Sequence, residues 1–145
     1  MLVMRSVTIL SFLLLALAGC GGASYQVVPV SGKVTLNGKP LAKAHVTFAP
    51  IGALDKDTGP PAHGTTDAEG KFSLALGSTG KPGAPTGKSK VYISTAGDAS
   101  AGEQPDAGGK RTKELVPVRY NISSDLVFEV PSGGTNKADF ELKAP

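Results

Sequence analysis

Apolar and polar residues alternate in short runs along most of this chain. Val30, Gly32, Val34 and Leu36 interleave with Ser31, Lys33 and Thr35, the period-two pattern of a strand with one buried face. Asn37-Gly38 follows, a tight-turn pair because both residues accept positive φ. Ala44, Val46 and Phe48 then form the inward face of a hairpin partner, with His45 and Thr47 outward, until Pro50 removes a ladder donor. Residues 51–61 read as loop. Residues 63–66, the turn Asp67-Ala68-Glu69-Gly70 and the alternating Phe72, Leu74 and Leu76 predict a second hairpin. Val91 with Ile93, then Leu126, Phe128 and Val130, then Ala138, Phe140 and Leu142 mark the remaining inward faces. The pattern predicts an all-β fold, an antiparallel β-sandwich of about seven strands.

Two stretches break the alternation. Residues 77–87 are Gly- and Pro-rich turn material. Residues 96–113 have no apolar periodicity and contain four Gly and a Pro, which predicts a long loop. Loops on a rigid scaffold are where recognition concentrates. Gly97, Asp98, Lys110 and Arg111 are therefore the candidate partner-binding residues, against the alternative of a tolerant insertion with no role.

The start of the chain has a different pattern. Residues 1–6 carry one positive charge at Arg5, and residues 7–17 are almost wholly apolar, the layout of an export signal too short to serve as a permanent membrane span. Leu17-Ala18-Gly19-Cys20 resembles the bacterial lipobox, and Cys20 is the only cysteine among 145 residues. The resemblance implies cleavage after residue 19, lipidation of Cys20 and firm attachment to a membrane of the bacterial cell envelope, facing the periplasm. The expected organisation is a signal peptide over 1–19, the lipidated cysteine and a short tether over 20–26, and one domain over 27–145.

Composition narrows the function classes. The formal net charge is +3, falling to about +2 once Arg5 leaves with the leader, too weak a balance for nucleic-acid binding. With Cys20 acylated no thiol remains for zinc, and His45 and His63 read as isolated surface histidines, so no metal or cofactor is expected. Asp67, Glu69 and Gly70 suggest part of a calcium loop, yet hairpin-turn chemistry accounts for them. Residues 82–89 (Pro-Gly-Ala-Pro-Thr-Gly-Lys-Ser) miss a phosphate-binding loop by one residue, Pro82, and no helix pattern follows. There is no nucleophile elbow, so no catalytic residue is assigned. Asn121-Ile122-Ser123 fits a glycosylation sequon that a bacterial cell usually leaves silent.

The segments Val30-Ser31-Gly32-Lys33-Val34, Gly38-Lys39-Pro40-Leu41, Ala44-His45-Val46-Thr47-Phe48 and Thr66-Asp67-Ala68-Glu69-Gly70-Lys71-Phe72 together resemble the bacterial carboxypeptidase-regulatory-like domain, a transthyretin-like sandwich related in architecture to immunoglobulin-like folds. Val116-Pro117-Val118-Arg119-Tyr120-Asn121 and residues 136–142 resemble the C-terminal part of small lipoproteins built on it. At Ser89 the chain departs from the aromatic the family usually places there, which implies a looser core. The family module is non-catalytic, so the resemblance implies a structural or binding role with an envelope protein or polysaccharide as partner; a carbohydrate- or peptide-binding lipoprotein and an envelope enzyme are the alternatives. Related adhesin-type sandwiches lock their first and last strands with a side-chain amide, for which Lys33 with Asn136 or Asp139, and Glu129 as the neighbouring acid, would be the candidates. The alternation that defines the first strand places Lys33 outward, which argues against it.

Overall fold

A computed structural model describes residues 25–52, 58–96 and 113–145. Its strands are β1 (Val27–Val28), β2 (Ser31–Leu36), β3 (Lys39–Pro40), β4 (His45–Pro50), β5 (Ala62–Thr65), β6 (Lys71–Ser73), β7 (Ala75–Leu76), β8 (Ala84–Pro85), β9 (Gly87–Ser94), β10 (Val127–Val130) and β11 (Phe140–Leu142), with one 3-10 turn at Val118–Tyr120. One sheet runs β10-β9-β4-β5-β7. The other centres on β2, with β11 on one side and β3 and β6 paired to it as well; β1 and β8 form a small separate ladder. The all-β expectation holds, and the two larger sheets face each other as a β-sandwich.

The alternation places the core correctly. Val34, Val46, Phe48, Val91, Ile93, Val130 and Leu142 are buried almost completely. Four of the five phenylalanines meet between the sheets: Phe140 of β11 lies 6.0 Å from Phe48, 6.0 Å from Phe128 and 6.4 Å from Phe72, ring centre to ring centre. Edge-to-face and offset contacts of this kind contribute roughly 0.5–1.5 kcal/mol each beyond area burial.

Three expectations are corrected. The described strands number eleven, because pieces of two residues such as β1, β3, β7 and β8 are too short to show any periodicity. Part of the stretch read as turn, Ala84–Pro85, is buried strand paired to Val27–Val28. The sandwich is also not wholly antiparallel, since β11 runs parallel to β2 in the register Phe140↔Val34; alternation fixes which face a residue takes, not the direction of the strand that carries it.

The predicted second hairpin is corrected as well. The Asp67 carboxylate accepts the amides of Glu69 and Lys71, both at 2.9 Å, and Gly70 takes positive φ, so the turn forms as read. It does not join neighbours in one sheet. β5 pairs with β4 and β7, whereas β6 pairs with β2. The run 71–76 thus belongs to both sheets and makes a corner between them. A Cβ on Gly64 would come 2.5 Å from the Ser73 carbonyl oxygen, so only glycine lets the two backbones cross there.

Ser89 faces inward on β9, with Phe128 and Pro50 as its register neighbours, and is 1 % exposed. Its hydroxyl has no hydrogen-bond partner. A buried unpaired hydroxyl costs about 1–3 kcal/mol, so Ser89→Ala is expected to stabilise the domain by about 1 kcal/mol. A thermal melt should move up by roughly 4 °C; an unchanged or lower midpoint would show that the hydroxyl is satisfied in solution.

Candidate functional site

The strand β9 sets up two opposite poles. At its first residues the chain enters the domain: Thr86 donates its amide to the Gln26 carbonyl at 2.9 Å, and β1 pairs with β8 beside it. Tyr25 packs where a Cβ on Gly59 would come within 2.8 Å of its ring. At the other end of β9, eight residues and about 23 Å away, the chain leaves for residues 97–112. Gly97, Asp98, Lys110 and Arg111 lie outside the described residues, as do Cys20 and the rest of the leader. The described chain shows the root from which the long segment departs and returns.

That root is built around Glu114, whose carboxylate accepts five donors. The Ser94 hydroxyl binds one oxygen, joined by the Ala96 amide at 3.4 Å. The other oxygen takes the Thr95 amide at 3.0 Å, the Thr95 hydroxyl at 2.9 Å and the Val116 amide at 2.8 Å. The Thr95 hydroxyl also accepts the Leu115 amide at 2.7 Å. Partial burial pushes the Glu114 pKa up, but the hydrogen bonds from Ser94, Thr95 and Val116 outweigh it and hold the group below its ordinary value. Ala96 and Lys113, read from sequence as loop, therefore belong to a closed base. Sequence reading missed Glu114 because a single glutamate beside a Gly-rich stretch carries no spacing signal.

The histidines lie at the same pole and are not isolated. His45-Val46-Thr47 on β4 runs antiparallel to His63-Gly64-Thr65 on β5, in the register His45↔Thr65 and Thr47↔His63. Each histidine thus faces a threonine, with Nδ1 of His63 3.1 Å from the Thr47 hydroxyl and Nδ1 of His45 3.5 Å from that of Thr65. These residues line a cleft of about 170 Å³. The Cδ2–Nε2 edge of His63 lies against Gly77, where a Cβ would come within 2.8–2.9 Å of it, so that edge is turned towards β7 and away from His45. Among the described residues no group of three His, Cys, Asp or Glu side chains could hold a metal ion.

Other candidates resolve locally. Residues 82–89 run through β8 into β9, so a strand follows them and not the helix a phosphate-binding loop requires. The Asn121 side chain is buried and donates to the Val116 carbonyl at 3.3 Å, which occupies it within the fold. Arg119 stacks 4.9 Å from the Tyr120 ring centre and donates to the Lys143 carbonyl; a hydrogen bond from the Arg119 side chain, and after it one from the Lys143 amide at 3.4 Å from the phenol oxygen, lower the Tyr120 pKa. Lys33 does lie beside Asp139, whose carboxylate accepts its amide at 2.9 Å. Both residues are exposed, however, and Glu129 stands exposed on β10 of the other sheet, so the buried acid that a side-chain amide bond requires is not beside them. No helix among the described residues is long and apolar enough to cross a membrane. Comparison with known proteins finds no matching family model, no matching curated protein and no matching solved structure.

Proposed function

We propose that this chain is a lipid-anchored, non-enzymatic module of the bacterial cell envelope, attached through Cys20 and presenting residues 97–112 to an envelope protein or polysaccharide. The observation that carries this reading is the polarity of the domain: the chain enters at one end of β9, and the Glu114 root closes the long segment at the other. Only four residues lie between Cys20 and Tyr25, a reach of at most about 18 Å from one to the other. A domain tethered so closely at one pole has its opposite pole as the accessible one. The sandwich fold also suits the likeness to the carboxypeptidase-regulatory-like domain.

Two variants test the reading. Cys20→Ala is expected to leave the domain folded and move it from salt-washed membranes to the soluble fraction, because acyl chains would be its only anchor; retention in the membrane would count against anchoring. Replacing residues 97–111 with a short Gly/Ser linker, sparing Thr95, Ala96, Lys113 and Glu114, should leave the melting temperature within about 2 °C of wild type. Native co-purification should lose the partner. Partners retained by this variant would move recognition elsewhere on the domain.

A further inference from the structure

The outer face of the β2 sheet carries a depression of about 570 Å³, within the volume range of small-ligand sites. Its floor is the cross-strand ladder of β2 and β6, where Ser31 stands opposite Ser73 and Lys33 opposite Lys71. Two like charges directly opposite on antiparallel strands are destabilising, a cost that an anion seated between them removes. Both lysine side chains are exposed at the rim.

The remaining walls are polar, and two are carboxylates held in place. Asp139 accepts the Lys33 amide through Oδ1, and Asp67 accepts the Glu69 and Lys71 amides through Oδ1, so the second oxygen of each keeps its capacity to accept from a ligand. Asn136 adds an amide, and Thr65 borders the depression. Among the described residues the only aromatic in the lining is Phe72, which is buried beneath it, so none of them offers an exposed ring for stacking. A neutral sugar would have little to hold it, and a polyphosphate would meet the two carboxylates. Paired ammonium groups flanked by hydroxyls and acceptors match a ligand bearing one carboxylate among many hydroxyls.

We propose that this depression binds an acidic sugar of the uronate class, its carboxylate between Lys33 and Lys71 and its hydroxyls on Asp67 and Asp139. The site shares no residue with Cys20 or residues 97–112, so it stands or falls independently of the anchoring and display reading. The test is an amide chemical-shift titration of the full chain in mild detergent with a galacturonate trisaccharide. A neutral galactose trisaccharide and inorganic phosphate serve as comparison probes. The uronate should shift the Lys33, Lys71 and Ser73 amides and bind at least about tenfold more tightly than either comparison probe. The double variant Lys33→Gln, Lys71→Gln should melt at or slightly above the wild-type temperature, since it removes the like-charge pair, while losing about tenfold or more in affinity, and raised salt should weaken wild-type binding. Equal binding of the neutral sugar, phosphate binding as tightly as the uronate, shifts confined to other residues, unchanged affinity in the double variant, or no binding at all would each overturn the proposal.

Discussion

Gly32→Ala is expected to remove a large part of the stability of the domain. The residue lies on the inward face of β2 and is buried, and a Cβ there would come 2.0 Å from the Ala138 carbonyl oxygen and 2.4 Å from its carbon. Both obstacles are backbone, and the backbone is fastened on either side. Ser31 donates its amide to the Thr135 carbonyl at 2.9 Å, Ala138 donates to the Ser31 carbonyl at 3.0 Å, and the Lys33 amide is held by Asp139. Admitting a single methyl group therefore means breaking these bonds and lifting the approach to β11 away from the core. Overpacking of a relaxed site costs about 1–3 kcal/mol; with no relaxation open to it, this one should cost about 4 kcal/mol, against 5–15 kcal/mol for a whole domain. Urea denaturation checks it, and a loss below about 1 kcal/mol would mean that the segment before β11 is less firmly held than its hydrogen bonds imply.

Glu114→Ala should have the next largest effect. Removing the carboxylate leaves the Thr95 and Val116 amides and two hydroxyls without their shared acceptor at the root of the long segment. Hydrogen bonds to a charged group contribute about 1.5–3 kcal/mol when sheltered. The group is only partly buried, so a loss of about 2 kcal/mol and a fall of roughly 8 °C in melting temperature are expected. The pH dependence has a definite sign. Folding lowers the Glu114 pKa, so its contribution is complete above the ordinary value of 4.5 and disappears as pH falls from there through the folded value. Glu114→Gln should remove this part of the acid sensitivity, because an amide does not titrate in that window. A wild-type acid limb unchanged in the Gln variant would assign the sensitivity to other carboxylates.

The inward faces were legible because they follow a two-residue period that burial enforces: Val34, Val46, Phe48, Val91, Val130 and Leu142 are where alternation puts them. The turns at Asn37-Gly38 and 67–70 were legible because their backbone demands specific residue types. Sheet assignment was not. Whether 71–76 pairs with its sequence neighbour or with β2 is decided by the close approach at Gly64, which depends on residues distant in sequence. The same holds for the site. Glu114 acquires its role only when the end of β9 is brought beside it, and the threonine opposite each histidine becomes a partner only in the β4–β5 register. At Ser89, where the sequence predicts a looser core, the structure places a buried hydroxyl without a hydrogen-bond partner.

The position of Phe140 also governs the order of events during folding. The ring that joins Phe48, Phe72 and Phe128 arrives on β11, and the hydrogen bond between Lys33 and Asp139 spans 106 positions. Closing a loop of that length costs about 4 kcal/mol in chain entropy before any contact repays it. Such a topology folds in milliseconds to seconds, not microseconds. During synthesis Phe48 and Phe128 can already meet, 5.6 Å apart in the folded domain, whereas Phe72 joins them only through Phe140, once residues 140–142 are available to dock against β2.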